Sequence, residues 1–583
     1  MIDESLPSAS SHHLVEALCF LPNLTHLTLT VIRQEFFSHL NEKASTLKVH
    51  TLEIWNDKPL SSASSHHLVE ALCSLPNLTN LILSRVYDQE EFCSYLNEKA
   101  STLKVHTLQI ESYKPLSSAS SHHLVEALCS LPNLTNLILR GVWDKEEFCS
   151  LLNEKASTLK VHTLVIRNDK PLSSASSHHL VEALCFLPNL TDLILRGVYD
   201  QEFCSHLSEK ASTLKVHTLQ IESYKPLSSA SSHHLVEALC SLPNLTNLIL
   251  RGVWDKEELC SLLNEKASTL KVHTLEIWNY EPLSSASSHH LVEALCSLPN
   301  LTNLTLRGVC DKEEFCSHLN EKASTLKVHT LQIENYKPLS SASSHHLVEA
   351  LCFLPNLTNL ILRGVYDQEL CSHLSEKAST LKVHTLQIES YAPLSSASSH
   401  HLVEALCSLP NLTNLILRGV YDQEFCSHLN EKASTLKVHT LQIWNDKPLS
   451  SASSHHLVEA LCSLPNLTNL ILDGVCDEEV FCSHLNEKAS TLKVHTLQIW
   501  DDESLSSASS HHLVEALCFL PNLTNLILRG VCYQEFCSQL NEKASTLKGS
   551  FPQISEGNFM FNGKPQKDLH SFQQALREYI YVW

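Results

Sequence analysis

The chain has no run of about 18 apolar residues, so nothing in it reads as a membrane-spanning helix. Its opening, Met1-Ile2-Asp3-Glu4-Ser5-Leu6-Pro7, lacks both a basic stretch and an apolar one, and no secretory signal is visible. Basic residues are in short supply: 42 Lys and Arg stand against 63 Asp and Glu, a net charge of -21. Phosphate-backbone binding needs a basic footprint, so nucleic acid is an unfavourable partner. No G-x-x-x-x-G-K-[ST] nucleotide loop is present; Gly563-Lys564 is followed by Pro565. The hydrophobic content of 43% is that of a chain with a core, which excludes disorder despite the many serines.

What is present is one unit, repeated. In one copy it runs from Ser117 to Leu172, SSASSHHLVEALCSLPNLTNLILRGVWDKEEFCSLLNEKASTLKVHTLVIRNDKPL. Its first histidine recurs at His12, His66, His122, His178, His233, His289, His345, His400, His455 and His511, ten copies spaced by 54 to 56 residues. Within each copy two similar words sit 27 residues apart, as Leu137 and Leu164 do, so the physical period is half as long. A length of 583 residues would suggest three or four domains, but a fixed internal period implies one elongated solenoid. Periods of roughly 20 to 29 residues carrying L-x-x-L-x-L point to leucine-rich repeats.

Each unit divides into four parts. The first helix starts in the serine run, with N-cap oxygens at Ser120 and Ser121, and places Leu124, Ala127, Leu128 and Leu131 on one face until Pro132 ends it. A strand at 136–139 follows, with Leu134, Leu137 and Leu139 inward. A second helix starts near Asp144, whose carboxylate suits a helix N-terminus, and buries Phe148, Leu152, Ala156 and Leu159. The second strand turns Val161, Leu164 and Ile166 inward, and a turn follows at Lys170-Pro171. The expected fold class is α/β: a leucine-rich-repeat solenoid of about 19 repeats, a curved horseshoe with a parallel sheet on the concave face and helices on the convex face. It covers 1–548. Residues 549–583 are expected to form a capping segment, with an amphipathic helix from Asp568 to Tyr579 carrying Leu569, Phe572, Leu576 and Tyr579 on one side. Residues 1–10 offer no polar cap, which leads us to expect more protein upstream.

The 22 cysteines fall mainly into two helix columns, ten in the first helix (Cys19, Cys73, Cys129 and equivalents) and nine in the second (Cys93, Cys149, Cys204 and equivalents). Like positions lie two strands apart, roughly 10 Å, beyond disulfide reach. They read as small buried hydrophobes in a reducing compartment, hence a cytoplasmic protein. Asn-Leu-Thr occurs ten times, at Asn23, Asn77, Asn133 through Asn522; each is a formal glycosylation sequon that the repeat itself explains. The His-His pairs do not make a metal site, because adjacent helical residues diverge by about 100° and equivalent pairs lie ~10 Å apart. Nor do ten copies of Ser-Ser-His-His with no orienting third group make a catalytic site. No enzyme, metal or cofactor is expected.

The alternating repeats of helix, strand, helix and strand, with Ala-Leu-Cys in the helices, resemble ribonuclease-inhibitor-type leucine-rich repeats over nearly the whole chain. The wording Ser-Ser-His-His-Leu-Val-Glu-Ala-Leu-Cys-Ser-Leu-Pro-Asn-Leu-Thr, with Gly557-Asn-Phe-Met-Phe-Asn-Gly563, resembles the C-terminal repeat arrays of invertebrate nucleotide-binding, leucine-rich-repeat (NACHT/NOD-like) immune receptors. That resemblance implies a ligand-sensing region of a cytosolic innate immune receptor, with a nucleotide-binding domain upstream of this chain. One departure stands out. The repeat position usually holding Asn or Cys holds Val142 in one strand type and Tyr113 or Asp169 in the other.

A candidate ligand surface follows from strand ends pointing out of the sheet. The first strand type gives Arg140, Arg196, Arg251, Arg307, Arg363, Arg418 and Arg529, with Thr30, Ser84 and Asp473 in the same column. The second gives Trp55, Glu111, Arg167, Glu222, Trp278, Glu334, Glu389, Trp444 and Trp500. An Arg-Glu or Arg-Trp column would neutralise itself, each neighbour contributing ~0.2–1 kcal/mol. Yet within this chain the helix words barely change, while substitutions gather at strand ends, including Tyr87, Trp143, Tyr199, Trp254 and Cys310. Trp, Tyr and Arg are the residues enriched at binding hot spots. The function expected is a non-catalytic recognition module taking a protein or microbial ligand on the concave face. A ribonuclease-inhibitor-like enzyme inhibitor and a scaffold without a specific ligand are the alternatives.

Overall fold

In the computed structural model the described residues run from 8 to 543, apart from 22–23, 537, 541 and short stretches after the strands such as 31–33, 56–59, 86–89, 113–115, 142–145 and 530–535, and include 559–561 and 564–566. They fall into two compact units, residues 1–301 and 302–583.

The first unit holds ten parallel strands: β1 (His26–Thr30), β2 (Thr51–Trp55), β3 (Asn80–Ser84), β4 (Thr107–Glu111), β5 (Asn136–Arg140), β6 (Thr163–Arg167), β7 (Asp192–Arg196), β8 (Thr218–Glu222), β9 (Asn247–Arg251) and β10 (Thr274–Trp278). Each pairs with the next in sequence. The second unit repeats the plan with β11 (Asn303–Arg307), β12 (Thr330–Glu334), β13 (Asn359–Arg363), β14 (Thr385–Glu389), β15 (Asn414–Arg418), β16 (Thr440–Trp444), β17 (Asn469–Asp473), β18 (Thr496–Trp500) and β19 (Asn525–Arg529). These too are parallel and paired in sequence order. A helix precedes every strand, so both units are α/β solenoids.

The repeat sets the register. Leu137 is flanked in register by Leu108 and Leu164, and Leu139 by Ile110 and Ile166, and all six are buried. Within each unit the apolar columns therefore stack strand on strand, each leucine contributing about 1.5–3 kcal/mol on burial. The ladder continues upstream of each strand. Thr135 N and Asn136 N both donate to His106 O at 2.9 Å, and His162 N donates to Thr135 O at 2.8 Å.

The unvarying helix words have local causes. The first-type helix Ser118–Ser130 is capped by Ser117, whose hydroxyl accepts from Ser120 N at 3.0 Å. The cap is thus Ser117, and not Ser120 or Ser121, which lie in the first turn and are buried. Both are small enough to sit against neighbouring helices: Ser120 hydrogen-bonds the thiol of Cys93, and Ser176 that of Cys149. Leu124, Ala127, Leu128 and Leu131 are buried as expected, joined by Val125. The second-type helix Glu146–Lys155 buries Phe148, Cys149 and Leu152 and runs into a 3-10 turn, Ala156–Thr158. There Thr158 Oγ1 donates to Lys155 O at 2.8 Å, satisfying a carbonyl left over at the helix end. Asp144 lies outside the described residues, but its equivalents Asp200 and Asp422 cap their helices, accepting from Phe203 N and Phe425 N at 2.7 Å.

The two cysteine columns differ. The second-helix thiols are buried, and burial pushes those of Cys93, Cys149, Cys204, Cys260 and Cys426 up to about 12. The first-helix thiols are only half-buried, because Cys129 sits at the helix edge beside the next carbonyl, 3.9 Å from Lys155 O. All described cysteines are free.

Glycine follows most first-type strands where the chain must turn. Gly141 has φ +68°, and a Cβ there would lie 1.9 Å from Ser112 O. The polar position found displaced in the sequence is occupied one residue early: Ser112, Asn168, Ser223, Asn279 and Asn335, each just after a second-type strand, are buried.

Beyond β19 the sheet gains β20 (Phe559–Phe561), parallel to β19, and β21 (Lys564–Gln566), antiparallel to β20. The helix expected at 568–579 lies outside the described residues.

Candidate interaction surface

Burial alternates along the strands, and the face away from the leucines carries three columns. The first alternates Asn and Thr and is tied by side-chain hydrogen bonds, Asn136 Nδ2 to Thr107 Oγ1 at 3.2 Å and Asn359 Nδ2 to Thr330 Oγ1 at 3.3 Å. The middle column alternates branched aliphatic residues with Gln or Glu, as in Ile361 beside Gln332 and Gln387. The third is the Arg, Glu and Trp column read from the sequence, and the register makes its members direct neighbours.

In the second unit this column is a run of alternating charge. Glu334, only 4% exposed, lies 3.0 Å from Arg307 and 4.0 Å from Arg363. Glu389 lies 3.1 Å from Arg363 and 3.4 Å from Arg418. Arg418 then stands over the Trp444 ring at 5.2 Å, and Asp473 separates Trp444 from Trp500. In the first unit Arg196 approaches Glu222 to 3.0 Å, and Arg251 lies 3.5 Å from the Trp278 ring centroid and 3.3 Å from Glu276. Arg140, Arg167 and Arg196 are consecutive there. Burial, then the neighbouring Arg196, holds the Arg167 guanidinium below its ordinary value.

The glutamates of this column, Glu111, Glu222, Glu334 and Glu389, are buried. They are counterions beneath the arginines, so the groups facing solvent are arginine heads and aromatic rings. Trp55 is 41% exposed, while Trp278, Trp444 and Trp500 are half-buried. The side chain of Arg529 lies outside the described ones, as do Val142, Trp143, Tyr87, Tyr113, Asp169, Tyr199 and Trp254; Cys310 is buried. Tyr280 and Tyr391, two residues past β10 and β14, are exposed aromatics lying over Gly252 and Gly364, whose missing side chains leave them room. Tyr391 OH donates to Glu334 at 3.1 Å, and burial followed by that carboxylate pushes the phenol up to about 12. These tyrosines occupy the strand-end position that varies between Asp and Tyr from copy to copy, whereas the Asn and Thr column at the strand starts is a feature that only the alternation of Asn with Thr signalled in the sequence.

Period-two burial, in-register leucines and a helix between successive strands settle the architecture. The chain is a leucine-rich-repeat array. On its helix side each array unit carries a second charge pattern, lysines of second-type helices reaching glutamates of first-type helices: Lys99 to Glu70 at 2.7 Å, Lys155 to Glu126 at 2.8 Å and Lys488 to Glu459 at 2.8 Å. The histidine pairs lie on this side, and His345 meets His373 edge to face, with ring centroids 5.0 Å apart. Among the described residues no group of three or more His, Cys, Asp or Glu is placed to hold a metal ion, and no helix is long and apolar enough to cross a membrane.

No family model matches the array. Over 115 residues it is 30% identical to F-box protein SKIP17 of Arabidopsis thaliana, a match covering 19% of this chain and 23% of that protein's length. A solved structure of a TLR13-ssRNA13 complex aligns over 87% of this chain and 75% of its own, at 16% identity and a TM-score of 0.39.

Proposed function

We propose that the array is a non-catalytic recognition module that takes a protein or microbial ligand on the outer face of its sheet, as the sensing region of a cytosolic innate immune receptor. One observation carries the reading. Side chains that vary from copy to copy gather in the Arg, Glu and Trp column and at Tyr280 and Tyr391, while the helix words scarcely change. Burial explains why the helices are fixed, since Leu124, Leu128, Phe148 and Leu152 fill the core. It does not require tryptophan at Trp55, Trp444 or Trp500, where glutamate stands in other copies. Large aromatics and arginines on a rigid sheet supply contact area at little entropic cost. The upstream nucleotide-binding domain and the immune role rest on the resemblance in wording.

A photo-crosslinking amino acid at Trp444 tests this, with the same group at Ser463 on the helix side as control. A discrete protein adduct is expected from position 444, lost when Arg418 and Trp500 are both replaced by Ala. Equal adducts from both positions, or binding indifferent to that double substitution, would overturn the reading.

A further inference from the structure

Along the outer column, β6 is where an arginine stands between two arginines. Second-type strands elsewhere end in Trp55, Glu111, Glu222, Trp278, Glu334, Glu389, Trp444 or Trp500, and β6 alone ends in arginine, Arg167. The same strand departs at its middle position. There Val165 replaces the Gln or Glu found at Glu53, Gln109, Gln220, Glu276, Gln332, Gln387, Gln442 and Gln498. Both changes strip acceptors from one spot on the outer face.

The consequence is a patch of two rows. Arg140, Arg167 and Arg196 are register neighbours, so three guanidiniums share a width of about 10 Å. Beside them Ile138, Val165 and Ile194 are also register neighbours, an apolar floor of three branched side chains, with Val165 only 6% exposed. The flanking carboxylates are engaged. Glu111 accepts from Ser84 at 3.2 Å and Gln109 at 2.8 Å, and Glu222 faces Arg196 at 3.0 Å. Arg167 has arginine on both sides; its buried Nε has no hydrogen-bond partner among the described residues, a feature it shares with Arg196, Arg251, Arg307 and Arg363, so the arginine neighbours are what set it apart. In the second unit, by contrast, Glu334 and Glu389 each sit between two arginines.

We infer that this patch is an anion subsite taking carboxylate side chains of an acidic protein segment whose apolar residues rest on Ile138, Val165 and Ile194. A guanidinium fork meets a carboxylate with two parallel hydrogen bonds, and a carboxylate between Arg167 and a neighbour would relieve the repulsion of adjacent like charges. An extended segment alternating acidic and apolar residues matches the two rows. A nucleic acid matches poorly, because a phosphate backbone carries no apolar side chains to rest on the row of Ile138, Val165 and Ile194. The inference deepens the proposed recognition face by naming the chemistry of one place on it.

The test uses the full chain and a fluorescein-labelled twelve-residue peptide alternating Glu and Leu, read by anisotropy at low and moderate salt. Comparison probes are the same peptide with Gln for Glu and a labelled oligouridylate. The variant Val165→Gln/Arg167→Glu restores the wording of the other copies, so it keeps a fold the rest of the array already adopts; circular dichroism verifies this. Saturable binding of the acidic peptide is expected, weakened about tenfold or more by that variant and by the Gln peptide. Equal binding of the Gln peptide, an unaffected variant, or tighter binding of oligouridylate overturns the subsite. If the position-444 crosslink persists while the peptide fails, the subsite alone is wrong; loss of the crosslink specificity instead removes the recognition face itself.

Discussion

Replacing Glu334 by Gln asks whether the buried glutamates hold the outer column together. The substitution keeps shape and removes one charge lying 3.0 Å from Arg307, 4.0 Å from Arg363 and accepting from Tyr391 OH at 3.1 Å. Breaking one side of a buried ion pair costs about 3–5 kcal/mol. Arg307 and Arg363 are 21% and 32% exposed, so water screens part of that, and about 2 kcal/mol is the expected loss. In a solenoid such a loss stays local, because each repeat touches mainly its neighbours. Hydrogen exchange by mass spectrometry is the suitable assay. Peptides covering β12 to β14 should exchange about 30-fold faster, as 1.36 kcal/mol is one decade, while peptides from β2 to β4 should not change. An acceleration below about threefold at β12 to β14 would refute the counterion role and return the glutamates to the pool of ligand contacts.

Other expectations follow from the same geometry. Gly141→Ala should cost about 2 kcal/mol or more by denaturant midpoint, since a left-handed residue other than glycine costs ~1–2 kcal/mol and the new Cβ would overlap Ser112 O. Ser121→Ala should raise stability by about 1 kcal/mol, because its buried hydroxyl has no hydrogen-bond partner among the described residues; destabilisation would reveal a missed partner. Cys149 should resist iodoacetamide in the native protein at pH 8 and react on unfolding, since burial holds its thiol at about 12 and only a thiolate attacks. The hydrogen bond from Lys155 holds the Glu126 carboxyl below its ordinary 4.5 and that with Glu126 holds the ammonium above 10.5. The stabilising effect of this pair should therefore be level between those values, vanish as pH falls through the depressed carboxyl value, and vanish again as pH rises through the raised ammonium value. The midpoint difference between the native chain and Lys155→Met, followed across pH, measures it.

The repeat by itself determined the architecture, because identical segments stacked in register can only place Leu137 over Leu108 and Leu164, and the period-two and helical spacings name the buried face without any distant contact. Helix ends were less legible. Four serines from Ser117 to Ser121 are all chemically able to cap; the fold buries Ser120 and Ser121 in the first turn and leaves the cap to Ser117. The Arg, Glu and Trp column was legible as a list but not as an electrostatic object: only the tertiary structure decided that glutamates lie beneath and arginines above, that Tyr391 reaches back two strands to Glu334, and that Arg167 is left among arginines. Charge and burial depend on what the neighbouring strands supply, and a sequence position carries neither until those strands are in place.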